Sequence, residues 1–237
     1  MAKQKHPGRI IVTEGSDGAG KQTVSTELYE TLIYRGYQAI LISFPRYYTT
    51  PGREIRKVLD GAWTGNKKES DPLYFQKIDP IAFGALYAWD RNDAKPMLVD
   101  WLKKGRIVVI DRYVRSNQAH QGARRQGADR AKIIQHYENL EYGLYELPVP
   151  DLNIFLDLPV LHSMEAMKSQ RRKTDVNEKS LLYQNEVRKI FRHLHSQQPS
   201  SKNIIIPCVN KKGERRSRQE IADKVWNAVN ERILSKL

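Results

Sequence analysis

The sequence contains only one cysteine, Cys208, among its 237 residues. A single thiol cannot form an intrachain disulfide, so a secreted scaffold that is held together by disulfide bonds is excluded. A chain of this length can bury a complete hydrophobic core without disulfides or a structural metal. We therefore expect one domain over residues 1–237 and a reducing, cytoplasmic location.

Long hydrophobic runs are also missing from the sequence. Apolar runs such as 107–110 and 204–206 are far shorter than the roughly 20 residues that a membrane-spanning helix needs. The basic residues of segment 1–9 are not followed by the apolar region and small-residue cleavage site of a signal peptide. We therefore expect neither a signal peptide nor a membrane partner.

Acidic residues are too few to balance the basic ones. There are 40 Lys and Arg against 27 Asp and Glu, a formal net charge of +13. Such an excess favours anionic ligands, either nucleotides or nucleic acid, and charge alone does not choose between them. The basic clusters at 124–125, 170–173 and 211–216 are far apart, and no aromatic-rich binding module surrounds them. We therefore predict no nucleic-acid partner.

Short apolar runs alternate with longer helical patterns along the chain. The alternation is typical of β-α-β units that build a parallel sheet. Each run is nearly continuous, as expected for a strand that is covered on both faces. The sequence therefore predicts an α/β fold, a five-stranded parallel sheet flanked by helices. The predicted strands are 9–14, 38–44, 106–111, 152–157 and 203–208.

A glycine-rich segment follows the first predicted strand and precedes a helical pattern. Its glycines allow backbone N–H groups to wrap a phosphate, while the helix N-terminus and Lys21 add positive charge. This order of strand, loop and helix predicts the ATP-binding loop of a P-loop NTPase. The predicted ATP-binding residues are Gly15, Ser16, Asp17, Gly18, Ala19, Gly20, Lys21, Gln22 and Thr23.

The loop departs from the usual pattern at one position. The residue after Lys21 normally supplies a hydroxyl ligand for Mg²⁺, and here it is Gln22. Whether Thr23 compensates is left open. We expect Mg²⁺ to depend on carboxylates and on the ATP phosphates, with Asp111, at the end of the third predicted strand, as one ligand.

Two arginines follow the ends of neighbouring predicted strands. Arg46 comes after the second strand and Arg112 after the third. Because ligands collect at the carboxyl ends of parallel strands, both can converge on one anion. Tyr87 and Arg91 lie one helical turn apart, so a ring and a guanidinium share a face that suits a planar base.

These segments, taken in order, resemble the thymidylate kinase family over almost the whole chain. The segments are 14–21, 44–47, 86–91, 111–117 and 147–151. The resemblance implies a nucleoside monophosphate kinase-like fold with a mobile lid at about 170–180. It also implies transfer of a phosphoryl group from ATP to dTMP, which gives ADP and dTDP for dTTP synthesis, and a homodimer.

The resemblance assigns residues to the phosphate end of an acceptor site. Arg46, Tyr47 and Arg112 would hold the acceptor phosphate, and Phe44 belongs to the same segment. Asp17 would lie near the sugar 3′-hydroxyl and the metal. Asp17 is thus implied both as a catalytic residue and, with Asp111, as a metal ligand.

The resemblance also assigns residues to the base and the sugar. Tyr87 would stack on the thymine ring, while Arg91 and Asn117 would form hydrogen bonds with the base edge. Ser116 and His120 would face the deoxyribose, at a place where relatives commonly have Tyr.

A catalytic arginine in this family comes from the P-loop or from the lid. The P-loop position is Gly18 here, so Arg171 or Arg172 in the lid would join Lys21 as a catalytic residue.

Three other readings remain open from the sequence, and one of them, suggested only by Gln22, is a degenerate relative that binds its ligands but does not catalyse. A related kinase could act on another nucleoside monophosphate or on a deoxynucleoside, although paired arginines favour an acceptor that carries a phosphate. A basic P-loop ATPase that binds nucleic acid is the less favoured reading.

Overall fold

A parallel five-stranded sheet lies at the centre of the computed structural model, which describes residues 7–61, 77–163, 181–197 and 202–237. The strand order is β2-β3-β1-β4-β5, and every neighbouring pair is parallel. The five predicted strands are confirmed to within one residue at either end. The strands are β1 (Arg9–Glu14), β2 (Ala39–Ser43), β3 (Ile107–Asp111), β4 (Leu152–Asp157) and β5 (Asn203–Pro207).

Helices cover both faces of the sheet. They are α1 (Lys21–Tyr34), α2 (Thr50–Leu59), α3 (Pro80–Lys103), α4 (Val114–Gly122), α5 (Gly127–Tyr137), α6 (Leu181–Ser196) and α7 (Arg218–Arg232). A π-helical segment, Glu138–Leu144, continues α5, and a 3₁₀ turn, Leu234–Lys236, follows α7. Among the described residues, no helix combines the length and the apolar character that a membrane span requires.

Successive residues of β1 point to opposite faces of the sheet and enter different cores. Ile11 packs in the cluster that includes residues of α1 and α7. Ile10 and Val12 pack in the cluster on the other face, with Leu98 of α3. Both clusters are buried, which explains why the strands are continuous apolar runs rather than alternating ones.

The strand register brings three loops to one edge of the sheet. β3 pairs with β1 and with β2, and Asp111 lies opposite both Thr13 and Ser43. The chain segments that leave the carboxyl ends of these three strands are therefore neighbours in space. They are the glycine-rich loop, the segment 44–47 and the segment 111–113, all of which were predicted to bind ligands at this edge.

Helices α3 and α5 approach closely at Gly84. A methyl group on Gly84 would lie 2.1 Å from Oη of Tyr137. The Tyr137 side chain is fully buried, and its hydroxyl lies 2.8 Å from the carbonyl oxygen of Pro80 and 2.7 Å from that of Ile81. The ring therefore has no space into which it can retreat.

We predict that Gly84→Ala destabilises the fold by about 1–3 kcal/mol, because the added methyl group overlaps a fixed phenol ring. The free energy of unfolding in urea measures the effect. Gly143→Ala is the matched control, since an added methyl there meets no atom within 4 Å. The control should be neutral or slightly stabilising. Equal stabilities of the two variants would contradict the close packing of α3 and α5.

Candidate active site

The glycine-rich loop has the backbone geometry of a phosphate cradle. Gly18 and Gly20 have φ angles of 78° and 86°, in the left-handed region that side chains disfavour. Gly20 immediately precedes the first turn of α1, so the N-terminal amides of that helix border the loop. Loop amides and the helix dipole together provide a binding place for an anion.

Lys21 is buried inside this loop. Its Nζ donates a hydrogen bond to the carbonyl oxygen of Ser16 at 2.9 Å and lies 4.0 Å from Oδ1 of Asp17. Burial, and then the positive charge of Arg112, lowers the pKa of Lys21 to about 8, although Asp17 and Asp111 act in the opposite direction. The ammonium group is thus held inside the anion-binding loop. It loses its proton at a lower pH than an exposed lysine does.

Asp17 and Arg112 form an ion pair that joins the loop to the end of β3. Burial alone would raise the pKa of Asp17, but Arg112 and Lys21 outweigh it and hold that pKa below its ordinary value. Arg112 has a φ angle of 66°, and its backbone N–H donates to the carbonyl oxygen of Thr13 at 3.0 Å. An arginine in the left-handed region is uncommon, and such backbone is concentrated at functional sites.

Two carboxylates near Lys21 fit a divalent cation that is bound together with nucleotide phosphates. Burial raises the pKa of Asp111, and its Oδ1 is buried without a hydrogen-bond partner in the described part of the chain. No group of three or more acidic, His or Cys side chains that could hold a metal occurs among the described residues. A cation here would take its other ligands from phosphate and water, as Mg²⁺ does. Gln22 is exposed on α1.

The side chain of Glu14 fixes the helix that follows Arg112. Its Oε1 accepts hydrogen bonds from the backbone N–H groups of Tyr113, at 2.9 Å, and Ser116, at 3.2 Å. Its Oε2 accepts from the Ser116 hydroxyl at 2.5 Å. Burial raises the pKa of Glu14, and the bonds from Ser116 and Tyr113 act against that rise. The last residue of β1 thus satisfies the unpaired amides at the N-terminus of α4.

A cleft opens beside the loop. Its walls include Asp17 and eight of the nine predicted substrate-binding residues, which are Phe44, Tyr47, Tyr87, Arg91, Arg112, Ser116, Asn117 and His120. Six further wall residues were not predicted to bind substrate, and these are Pro45, Leu59, Phe83, Gln121, Arg124 and Tyr183.

Aromatic and apolar side chains form one end of the cleft. The rings of Phe83 and Tyr87 meet edge to face, with centroids 5.2 Å apart and an interplanar angle of 71°. Phe83 is buried with Leu59 and Ile55 in a small core, against which Tyr87 packs. Tyr87 is therefore supported on one side while it borders the cleft on the other, and an aromatic ring can stack there.

Arg91 and Asn117 are both oriented by Glu141, a residue that the sequence analysis missed. Arg91 donates from Nε to Oε2 of Glu141 at 2.5 Å and from Nη2 to Oε1 at 2.8 Å. Asn117 donates from Nδ2 to the same Oε1 at 2.9 Å and to the carbonyl oxygen of Gly84 at 3.0 Å. Arg91 and Glu141 are almost completely buried, and the π-helical segment after α5 carries Glu141 into this position.

These bonds determine which atoms remain for a ligand. The amide nitrogen of Asn117 faces two acceptors, so its Oδ1 must point elsewhere, and Oδ1 is buried without a partner in the described residues. In Arg91, Nη1 is the guanidinium nitrogen that Glu141 does not engage. One acceptor and one donor are thereby presented at the same end of the cleft.

Arg46 differs from the other predicted residues because it does not line the cleft, although Pro45 and Tyr47 on either side of it do. Its Nε donates to Oδ1 of Asp90 at 3.0 Å, and its Nη2 donates to Oδ2 of Asp93 at 2.7 Å. The side chain is buried in these contacts. Its role at the acceptor phosphate stays a prediction.

Comparison with known proteins agrees with this geometry. A family model described as thymidylate kinase matches residues 13–221. The chain belongs to the thymidylate kinase family. It is 34% identical over 198 residues to a probable thymidylate kinase of Thermococcus kodakarensis, covering 82% of this chain and 88% of that one. It is 31% identical over 151 residues to human thymidylate kinase, covering 64% and 61% respectively.

Similarity to a solved structure supports the fold. The thymidylate kinase of Candida albicans superposes with a TM-score of 0.69 at 21% identity, covering 94% of this chain and 92% of the other. This similarity confirms the expected α/β fold of a P-loop nucleoside monophosphate kinase. The match to the family model confirms the resemblance to the thymidylate kinase family. The protein is therefore an enzyme of this kinase class.

The predicted lid of the kinase, at about 170–180, lies outside the described residues, together with Arg171 and Arg172. The described chain resumes at Leu181, in the first turn of α6. There Tyr183 lines the cleft, and Nε2 of Gln184 donates to Oδ2 of Asp17 at 3.3 Å. The start of α6 therefore reaches the P-loop.

We predict that Glu141→Ala lowers the free energy of unfolding by about 3–5 kcal/mol, because it leaves the buried Arg91 charge without a counter-ion. Urea denaturation measures the loss. Glu30→Ala is the control, since Glu30 is an exposed glutamate on α1, and it should cost under about 1 kcal/mol. The double variant Arg91→Met with Glu141→Leu should regain much of the stability. A Glu141→Ala loss no larger than the control loss would contradict the buried pair.

We predict that ATP binding takes up protons at Lys21. About half of the free enzyme carries a neutral Lys21 at pH 8, and bound phosphate favours the ammonium form. Binding should therefore take up about half a proton at pH 8 and almost none at pH 6.5, and affinity should fall as pH rises through about 8. Calorimetry in buffers of different ionisation enthalpy measures the uptake. Lys21→Arg, which stays charged, measures the contribution of all other groups. Equal uptake by the two proteins would rule out Lys21 as the source.

Proposed function

We propose that the cleft is the acceptor site of a dTMP kinase and that the γ-phosphoryl group of ATP passes between the P-loop and this cleft. The observation that carries the proposal is the Asp17–Arg112 pair, because one partner belongs to the loop and both border the cleft. Phosphoryl transfer requires mainly that two phosphates be aligned and their charge neutralised. As a member of its family, the enzyme transfers phosphate from ATP to dTMP, giving ADP and dTDP.

The base end of the cleft suits thymine. A thymine edge presents an N3–H donor beside a carbonyl acceptor at O4. The unpartnered Oδ1 of Asn117 accepts from N3–H, and Nη1 of Arg91 donates to O4. Tyr87 stacks on the ring. Cytosine presents an acceptor at N3 and an amine at C4, so both contacts would be mismatched and buried groups left unpaired.

Arg112 holds the phosphate of the acceptor in this proposal. Its guanidinium binds Asp17 when no phosphate is present, and a phosphate offers it a stronger bidentate partner. Asp17 is then released toward the sugar and the metal. Arg46 contributes a second guanidinium, which Asp90 and Asp93 orient while leaving its Nη1 unengaged by either carboxylate.

The metal in this proposal is Mg²⁺, held by Asp17 and Asp111 together with the ATP phosphates. Bound Mg²⁺ neutralises charge on the phosphates during transfer. The buried, unpartnered Oδ1 of Asp111 is the feature that supports this assignment. Because Gln22 replaces the residue that usually supplies a hydroxyl ligand, Asp17 and Asp111 are the protein's ligands to the metal in this proposal.

We assign the remaining catalytic charge to Arg171 or Arg172 of the lid. The contact from Gln184 to Asp17 and the place of Tyr183 in the cleft wall support this assignment, because they put the chain just after the lid at the active site. Closure of the lid would exclude water and so suppress ATP hydrolysis.

We propose one domain over 1–237, a homodimer as in the family, and a cytoplasmic location. The single thiol of Cys208 is free and buried, and burial raises its pKa to about 12, so it is protected from oxidation.

We predict that ADP release with ATP and Mg²⁺ is fastest with dTMP among nucleoside monophosphates. The kcat/KM for dCMP should be lower by roughly 100-fold or more, because two buried groups are left mismatched. Thymidine without phosphate should give no turnover above background, since Arg112 then has no anion to bind. A coupled assay over this panel measures each rate.

Asn117→Leu keeps the volume and removes the acceptor for N3–H. It also removes the Nδ2 donor to Glu141 and Gly84, so an unchanged Kd for ATP is the check that the rest of the site is intact. The variant should lower the preference for dTMP over dCMP by roughly 10-fold.

An enzyme whose ADP release needs nucleic acid rather than a monophosphate would overturn the proposed function.

A further inference from the structure

Helix α6 carries three polar side chains along one side. Gln184, Arg188 and Arg192 are spaced four residues apart, so they lie one above another on the helix. Gln184 donates to Oδ2 of Asp17 at 3.3 Å. Arg188 and Arg192 both approach the carboxylate of Asp157, at the end of β4. Polar contacts on one side of α6 therefore attach this helix to the carboxyl edge of the sheet.

The contact of Arg188 with Asp157 is the closer of the two ion pairs. Nε of Arg188 donates to Oδ1 of Asp157 at 2.6 Å, whereas Nε of Arg192 lies 3.7 Å from Oδ2. Asp157 is buried and belongs to the sheet. Its backbone carbonyl oxygen accepts from the N–H of Cys208 at 3.0 Å, and it pairs with Pro207 of β5. Arg188 thus binds an acceptor that the sheet holds in place.

The other contacts of α6 constrain its position along the helix axis less directly. Apolar packing is not directional, whereas a charge-assisted hydrogen bond holds two atoms at a defined distance and angle. An ion pair of Glu186 with Arg130, at 2.7 Å, joins α6 to α5 rather than to the sheet. The apolar cluster between α6 and the sheet includes Phe155, Val187, Ile190, Phe191 and Leu194.

The position of α6 matters because it determines where Gln184 meets Asp17. Oδ1 of Asp17 faces Arg112, and Oδ2 faces Gln184. In the proposed function the acceptor phosphate draws Arg112 away, and the contact with Gln184 remains to orient the carboxylate. Gln184 lies one turn before Arg188, so its distance from Asp17 depends on where Arg188 holds the helix.

We propose that Arg188 is a positioning residue for phosphoryl transfer. By binding Asp157 it fixes α6, and through α6 it holds Gln184 against Asp17. The inference rests on the proposed function in one respect, namely that Asp17 serves the metal during transfer. Alignment of this kind is needed in the transition state, where a displacement of about 1 Å caused by a distant substitution can slow a reaction about 100-fold.

The first test compares Arg188→Met with Lys189→Met. Both remove one positive charge from neighbouring positions of α6, but Lys189 is exposed and its ion pair with Glu186 lies within the helix. The transfer rate is measured in a single turnover with saturating dTMP and Mg·ATP, and calorimetry gives the Kd of each substrate. Arg188→Met should slow transfer about 10- to 100-fold and change each Kd by less than about threefold. Lys189→Met should stay within about twofold of wild type throughout.

Two further variants separate positioning from loss of the fold. Arg188→Lys keeps a cation that can reach Asp157 and should bring the transfer rate back to within about threefold of wild type. Asp157→Asn breaks the pair from the other side, and adding it to Arg188→Met should slow transfer little further. Arg192 remains beside Asp157 in Arg188→Met, which limits the loss of stability, and urea denaturation checks that each variant is folded. Equal transfer rates in Arg188→Met and Lys189→Met would overturn the proposal.

The route through Gln184 has its own test. Gln184→Leu removes the amide that donates to Asp17, so adding Arg188→Met to it should slow transfer by less than about threefold. Effects of the two substitutions that multiply in full would refute this route. In ¹⁵N spectra the side-chain amide signal of Gln184 should shift in Arg188→Met and stay in place in Lys189→Met. An unshifted signal in Arg188→Met would also count against the proposal.

These outcomes are distinguishable from failure of the proposed function. If wild type and Arg188→Met phosphorylate dTMP equally fast, the proposed function stands and only the role of Arg188 is lost. If wild type does not phosphorylate dTMP, both are lost.

Discussion

The carboxylate of Glu14 joins the two halves of the active site. Glu14 ends β1, and the phosphate-binding loop begins at the next residue, so its backbone belongs to the donor side. Its side chain binds the backbone of Tyr113 and Ser116, at the start of the helix that carries Asn117 and His120 on the acceptor side. Because the residue is completely buried, neither half can move without breaking bonds that water cannot replace.

Glu141 has a positioning role in the cleft that is similar to the role of Glu14. Buried Glu141 orients Arg91 and Asn117, as Glu14 orients the start of α4, and in both places an acidic side chain that does not line the cleft positions groups that do. A buried ion pair such as Arg91–Glu141 contributes little net stability. Both carboxylates do restrict the groups that they bind to one geometry, which catalysis by alignment requires.

The strands and the P-loop were predicted correctly, because each depends on a short, local sequence pattern. Five apolar runs identified the strands, and a glycine-rich segment between a strand and a helix identified the P-loop, because both signals are complete within about ten residues. The partners Glu141, Asp90 and Tyr183 were missed because they lie 50, 44 and 63 residues from the groups they bind. Nothing in a single sequence tells which distant carboxylate meets which guanidinium. Asp90 and Asp93 contact Arg46, which its motif did not indicate, and the contact of Arg46 with a ligand stays a prediction.

In the proposed function, Arg112 binds the acceptor phosphate and Asp17 the metal, so their ion pair would make the donor and acceptor sites thermodynamically dependent on each other. Acceptor phosphate must draw the guanidinium away from the carboxylate, while a donor that arrives with its cation must draw the carboxylate away from the guanidinium. Whichever substrate arrives first separates the pair, and the second finds it already separated. In this proposal each substrate strengthens the binding of the other by the same factor, as linkage between two sites requires.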